Sequence, residues 1–105
     1  MRHKPWQDIK TALPNIHGHL GVFEIGDREG KSLYIGYAGG NSAFGLRGEI
    51  QKAFSRMPRA CQIRIEITAS YLSRYRELLM LHKAYHGELP PENPNIPLGR
   101  LSPIL

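Results

Sequence analysis

The residues in this chain that could do chemistry are scattered, and the local motifs among them are quickly tested. Gly26-Asp27-Arg28-Glu29-Gly30-Lys31-Ser32 has the ingredients of a phosphate-binding loop. However, three residues separate its glycines where a P-loop needs four, and the residues after it read as a strand, so no helix N-terminus is available for phosphates. His82 and His86 are four apart on a predicted helix and could share a metal ion, yet no glutamate follows His82 and no third ligand is evident. His17-Gly18-His19 reads as a turn entering a strand. Cys61 is the single cysteine, so it forms neither an internal disulfide nor a C-x-x-C pair, which agrees with a reducing compartment. Its place at the start of a half-buried strand marks it as a packing residue.

Charge is more informative once it is located. Between residues 47 and 76, seven cations (Arg47, Lys52, Arg56, Arg59, Arg64, Arg74 and Arg76) face only Glu49 and Glu66, which accounts for the whole net charge of +5. Such a surplus favours a polyanion, most simply a nucleic-acid backbone; a solvated face that keeps the protein soluble is the alternative.

The elements that must position these residues follow from periodicity. The chain has 105 residues, 41% of them apolar and 22% charged, enough for one hydrophobic core and one domain. Pro5 to Leu13 suits a short helix with Trp6, Ile9 and Leu13 on one face. Leu20, Val22, Phe23 and Ile25 read as a strand, and the polar 26–31 turn leads directly into a second, Leu33 to Tyr37, so the two form an antiparallel hairpin. A helix follows through Phe44, Leu46, Ile50, Ala53 and Phe54, with Asn41 or Ser42 as its cap and Pro58 closing it. Gln62 to Ile67 alternates strictly and is the third strand. The longest helix runs from about Tyr71 to His86, with Ser70 as cap and Gly87 as stop. The predicted architecture is an α+β domain (α/β in the broad sense), a small three-stranded, mainly antiparallel sheet flanked by helices. Its core spans about residues 18–93. The tail, 94–105, carries Leu98, Leu101, Ile104 and Leu105 and is expected to pack on the domain or to serve a homodimer.

Gly21-Val22-Phe23 and Tyr34-Ile35-Gly36 on neighbouring strands, then Arg47, Glu77 and Asn93 in that order, resemble the GIY-YIG nuclease superfamily. The wording Phe44-Gly45-Leu46-Arg47-Gly48-Glu49 and Tyr75-Arg76-Glu77-Leu78-Leu79 is similar to a compact, stand-alone branch of it. The resemblance implies an endonuclease that hydrolyses phosphodiester bonds in DNA, or RNA, with one divalent ion, Mg²⁺ or Mn²⁺, and no covalent intermediate. By that resemblance Glu77 is the metal ligand. It shares a helical face with Met80, Leu81 and Ala84, an apolar neighbourhood that places it near the sheet, whereas an ion pair with Arg74 is its structural alternative. Arg47 would hold the scissile phosphate. Tyr34 would activate the attacking water, which requires its pKa to fall from about 10. Asn93, with Asn95 as a neighbouring competitor, would orient a site group. Phe23, Gly36, Tyr37, Lys52 and Arg56 are the expected substrate-contacting residues. The first tripeptide ends in Phe23 where the family usually has a second tyrosine, so the hydroxyl on that strand is lost. Tyr37 lies on the opposite pleat from Tyr34. A non-catalytic nucleic-acid-binding or assembly module on the same scaffold is the alternative reading.

The longest apolar run, Leu78-Leu79-Met80-Leu81, is far too short to cross a bilayer, and no apolar segment of a secretory signal follows the basic start at Met1-Arg2-His3-Lys4. The expected setting is the cytoplasm, away from membranes.

Overall fold

The computed structural model describes residues 1–94. Its elements are β1 (Gln7–Asp8), α1 (Ile9–Ala12), a 3₁₀ turn (Leu13–Asn15), β2 (Gly21–Gly26), β3 (Ser32–Ala38), α2 (Gly45–Arg56), β4 (Gln62–Ile67) and α3 (Tyr71–His86). The strands form one antiparallel sheet in the order β1-β4-β2-β3. The three long strands are those the alternation predicts; the fourth, β1, is a two-residue addition to the outer edge of β4. The apolar tail and Asn95, which carried the expectation of packing or dimerisation, lie outside the described residues.

β2 is buried at all six positions and is paired on both sides. Its alternating side chains therefore feed two separate layers. Phe23 and Ile25 join Ile63, Leu46, Ile50 and Ala53 beneath α1 and α2. Val22 points the other way and joins Ile35, Leu78 and Leu79 beneath α3. An irregularity at Ile25/Gly26 shifts the register by one residue, which lets Leu33 enter the first layer although Tyr34 also lies against it.

The N-terminal segment departs from the expected 5–13 helix. The Asp8 carboxylate accepts hydrogen bonds from the Thr11 backbone N–H at 3.0 Å and from its hydroxyl at 2.9 Å. This fixes the N-cap at Asp8, and Gln7–Asp8 instead pair with Ile63 and Gln62. Trp6 leaves the predicted helical face and packs against Gly26, where an added Cβ would come within 2.7 Å of its ring.

α2 also starts differently. Ser42 is used inside the preceding loop, its Oγ accepting from the Gly39 N–H at 3.0 Å. The N-cap position is held by Phe44, without a side-chain bond. The Leu46 N–H instead donates to the His19 carbonyl at 2.9 Å, so the chain entering β2 satisfies the helix end. Gly45 makes this approach possible: its φ is +60°, and a Cβ there would sit 2.3 Å from the Gly18 carbonyl carbon. α3 closes as predicted, on Gly87 at φ +81°.

Gly45→Ala combines a left-handed backbone with a backbone clash, and the expected loss is about 2 kcal/mol or more of unfolding free energy by urea titration. A loss below about 0.5 kcal/mol would contradict this junction.

Candidate functional site

The sheet distributes the sequence-predicted residues over two faces and two ends. Tyr34, Gly36 and Tyr37 come together. They line a cleft of ≈ 390 Å³ at the outer edge of β3, completed by Gly39, Gly40, Glu49, Tyr71 and Tyr75. Tyr34 and Tyr37 project to opposite faces of β3, as the pleat requires. Tyr34 packs with Phe23 at 5.9 Å, while Tyr37 stacks on Tyr71 at 5.8 Å and meets Tyr75 at 4.8 Å. They share the cleft because β3 is an edge strand and the cleft wraps around it. The Tyr71 hydroxyl accepts from the Gly40 N–H at 3.1 Å, tying the β3–α2 loop to α3. Burial, reinforced by Tyr34 and Tyr37, raises the pKa of Tyr75 against a smaller opposing effect of Asn93, so this hydroxyl stays protonated.

Phe23 does not line the cleft. It is 1% exposed and lies under the cleft, where a Cβ on Gly36 would come within 2.5 Å of its ring. Gly36 is therefore glycine because two aromatic rings, Phe23 and Tyr34, occupy its side-chain space.

The α2 cations divide. Arg56 approaches Tyr34, its guanidinium carbon 5.7 Å from the ring centroid. Lys52 pairs with Glu49 at 3.5 Å. Arg47 lies nine positions before Arg56, which at about 3.6 residues per turn puts it on the opposite flank of the helix. It is exposed, lines none of the cleft, and has no carboxylate partner among the described residues.

Glu77 departs most from expectation. Its supposed apolar neighbourhood is solvent: Met80 and Leu81 are each 46% exposed, and α3 buries Leu78 and Leu79 instead. Glu77 accepts from Arg74 at 2.6 Å, and Arg74 reaches on to Glu66 with two further bonds, at 2.9 and 3.1 Å. Burial works to raise the Glu66 pKa, but the bonds and charge of Arg74 outweigh it and hold the carboxyl below its usual value. In this structure Glu77 takes the ion-pair alternative, exposed and bound to Arg74. No group of three or more His, Cys, Asp or Glu among the described residues could hold a metal ion. His82 and His86 do sit together, with ring centroids 4.3 Å apart, but the Nδ1 of His82 is bonded to the Glu88 carbonyl at 2.9 Å.

Asn93 is buried and acts on backbone. Its Oδ1 accepts from the Ile35 N–H and its Nδ2 donates to the Ile35 carbonyl, both at 2.8 Å. With the Glu92 N–H on the Leu33 carbonyl at 2.9 Å, this segment covers the free edge of β3. Asn93 therefore positions the strand that carries Tyr34 and Tyr37.

A family model described as a domain of unknown function, DUF7508, matches residues 1–85. The chain belongs to the DUF7508 family. No curated protein and no solved structure matches it. The DUF7508 match spans every strand and nearly all of α3, so both faces of the sheet lie within it.

Sequence reasoning passed over Glu49, Tyr71 and Tyr75 as cleft residues. The signal for the tyrosines was their i, i+4 spacing on α3 opposite Tyr37; Glu49 had none beyond its place two residues after Arg47.

Two measurements check this site. Asn93→Ala strands both polar groups of Ile35, and the expected loss is about 2 kcal/mol by chemical denaturation. A carboxyl whose folded pKa is depressed contributes stability above its unfolded pKa and loses it as pH falls through the folded value. Stability should therefore fall on acidification below about pH 5, less steeply in Glu66→Gln than in the parent, as read by thermal melts at stepped pH.

Proposed function

We propose that this DUF7508 domain binds the phosphate backbone of nucleic acid, DNA in the first instance, at the β3-edge cleft and along α2. The observation that carries this is the state of the basic surplus. Arg64, Arg74 and Lys52 are paired with carboxylates, whereas Arg47, Arg56, Arg59 and Arg76 are exposed with no carboxylate partner among the described residues. Arg56 stands beside a tyrosine-lined cleft, and guanidinium groups with aromatic faces suit phosphates and bases alike. The order of Tyr34-Ile35-Gly36, Arg47 and Asn93 supports a GIY-YIG-like scaffold for this role, set in the cytoplasm. Among the described residues no helix is long and apolar enough to cross a membrane.

The endonuclease reading keeps one specific support. Glu49 is the carboxylate that shares the cleft with Tyr34, so it, rather than Glu77, is the residue that would hold Mg²⁺ or Mn²⁺ there.

Fluorescence anisotropy with a labelled DNA duplex across a salt series tests binding. Affinity should fall steeply with salt, and Arg56→Ala should weaken it while lowering the log–log salt slope by about 1. Affinity indifferent to salt and to Arg56→Ala would contradict the proposal. Incubation with supercoiled plasmid in Mg²⁺ or Mn²⁺ separates the second reading. Cleavage lost in Glu49→Ala and retained in Glu77→Ala supports it; no cleavage removes it.

A further inference from the structure

Across the sheet from α2, beneath α3, is a separate cavity of ≈ 380 Å³, within the roughly 300–1,000 Å³ typical of small-molecule sites. Its floor is a cross-strand array. Arg64, Glu24 and Ile35 are direct register partners on β4, β2 and β3. Ser32 is the partner of Gly26, two residues along from Glu24, and so lies on the same face. Glu24 is 7% exposed. Its Oε1 accepts from Arg64 Nε at 2.8 Å, and Arg64 donates again to the Lys4 carbonyl at 3.1 Å. The other carboxylate oxygen takes no hydrogen bond among the described residues, and the buried Ser32 hydroxyl has no partner there either. Buried polar atoms are normally satisfied, so the open Ser32 hydroxyl, beside a carboxylate oxygen with room for a donor, calls for an occupant.

The rest of the lining specifies its shape and charge. Ile35 and Leu78 make an apolar base, while Leu81 and Tyr85, 46% and 63% exposed, form the mouth. The Arg2 guanidinium lies 4.0 Å over the Tyr85 ring, and it has no carboxylate partner among the described residues. An apolar acid would either bring its carboxylate against Glu24 or leave Glu24 and Ser32 unsatisfied. A polyamine would satisfy Glu24 but face Arg2 and Arg64. A flat heterocycle with N–H donors for Glu24, an acceptor for Ser32 and an anionic tail for Arg2 meets every requirement. The guanine edge places N1–H and the N2 amine beside O6, whereas adenine turns an acceptor toward the carboxylate.

We propose that this cavity is a binding site for a guanine mononucleotide, its base over Glu24 and Ser32 and its phosphate at Arg2. The inference does not rest on nucleic-acid binding, because the two sites have no lining residue in common.

Titration of the ¹⁵N-labelled full chain with GMP, AMP and inorganic phosphate tests it. GMP should give saturable shifts at Ser32 and His82, with a Kd about tenfold below that of AMP, and phosphate alone should give none. Glu24→Gln should reduce that preference to about threefold or less. Ser32→Ala removes a hydroxyl with no partner among the described residues, so it leaves the fold intact while weakening GMP about fivefold or more. Equal affinities for GMP and AMP, saturable binding of phosphate alone, no saturable GMP binding at millimolar concentration, unchanged GMP affinity in Ser32→Ala, or shifts confined to the tyrosine cleft would each overturn the proposal.

Discussion

The burial of β2 on both faces is the constraint on which the rest depends. A central strand paired on both edges and covered on both faces by helices has no solvent-facing pleat, so each residue must be accommodated in one layer or the other. Phe23 and Ile25 fill the layer under α2, and Val22 fills the layer under α3. Glu24 is the exception, a carboxylate at a position that packing would give to an aliphatic side chain. Its desolvation is offset by Arg64, which is itself held by the Lys4 carbonyl and lies 4.1 Å over the Trp6 ring. The N-terminal segment is thereby fastened to the sheet through one buried ion pair.

The same division separates the functional surfaces. Tyr34 belongs to the α2 side, and Arg56 reaches it there. Glu77 belongs to α3, on the flank where Arg74 ties it to β4 through Glu66. Residues that follow one another in the expected order therefore reach different places. The β3 edge is the meeting point of the two sides, and only there do Tyr34 and Tyr37, on opposite pleats, line the same cleft. Asn93 matters to that cleft through backbone geometry, since its amide holds both polar groups of Ile35 between the two tyrosines.

Much of the fold was legible because alternation and helical period are local. The bounds of the Gln62–Ile67 strand and the Gly87 stop after α3 are reproduced, but the alternation does not carry into burial, since Ile67 is exposed while Arg64 and Glu66 are drawn into ion pairs on the α3 side. What was not legible depends on partners far along the chain. Asp8 starts α1 late, and the two residues this leaves extended find β4, some 55 positions away, as a strand partner. Ser42 caps nothing because Gly39 claims it, and the His19 carbonyl serves the helix instead. For the site, residue order identified the cleft tyrosines of β3 but could not resolve the flank of a helix. Arg47 and Arg56 on α2, and Glu77 against Tyr75 on α3, differ by rotation alone, and rotation is set by which side chains the sheet buries.

The central claim is that the phosphate backbone meets the α2 and β3-edge side of the sheet. Chemical-shift mapping with a short DNA duplex at low salt tests it most directly. The account predicts perturbations that concentrate on Tyr34, Gly36, Arg56 and the Gly39–Gly40 loop and leave Arg74 and Glu77 unmoved. Perturbations centred on Arg74 and Glu77, or none at low salt, would contradict it.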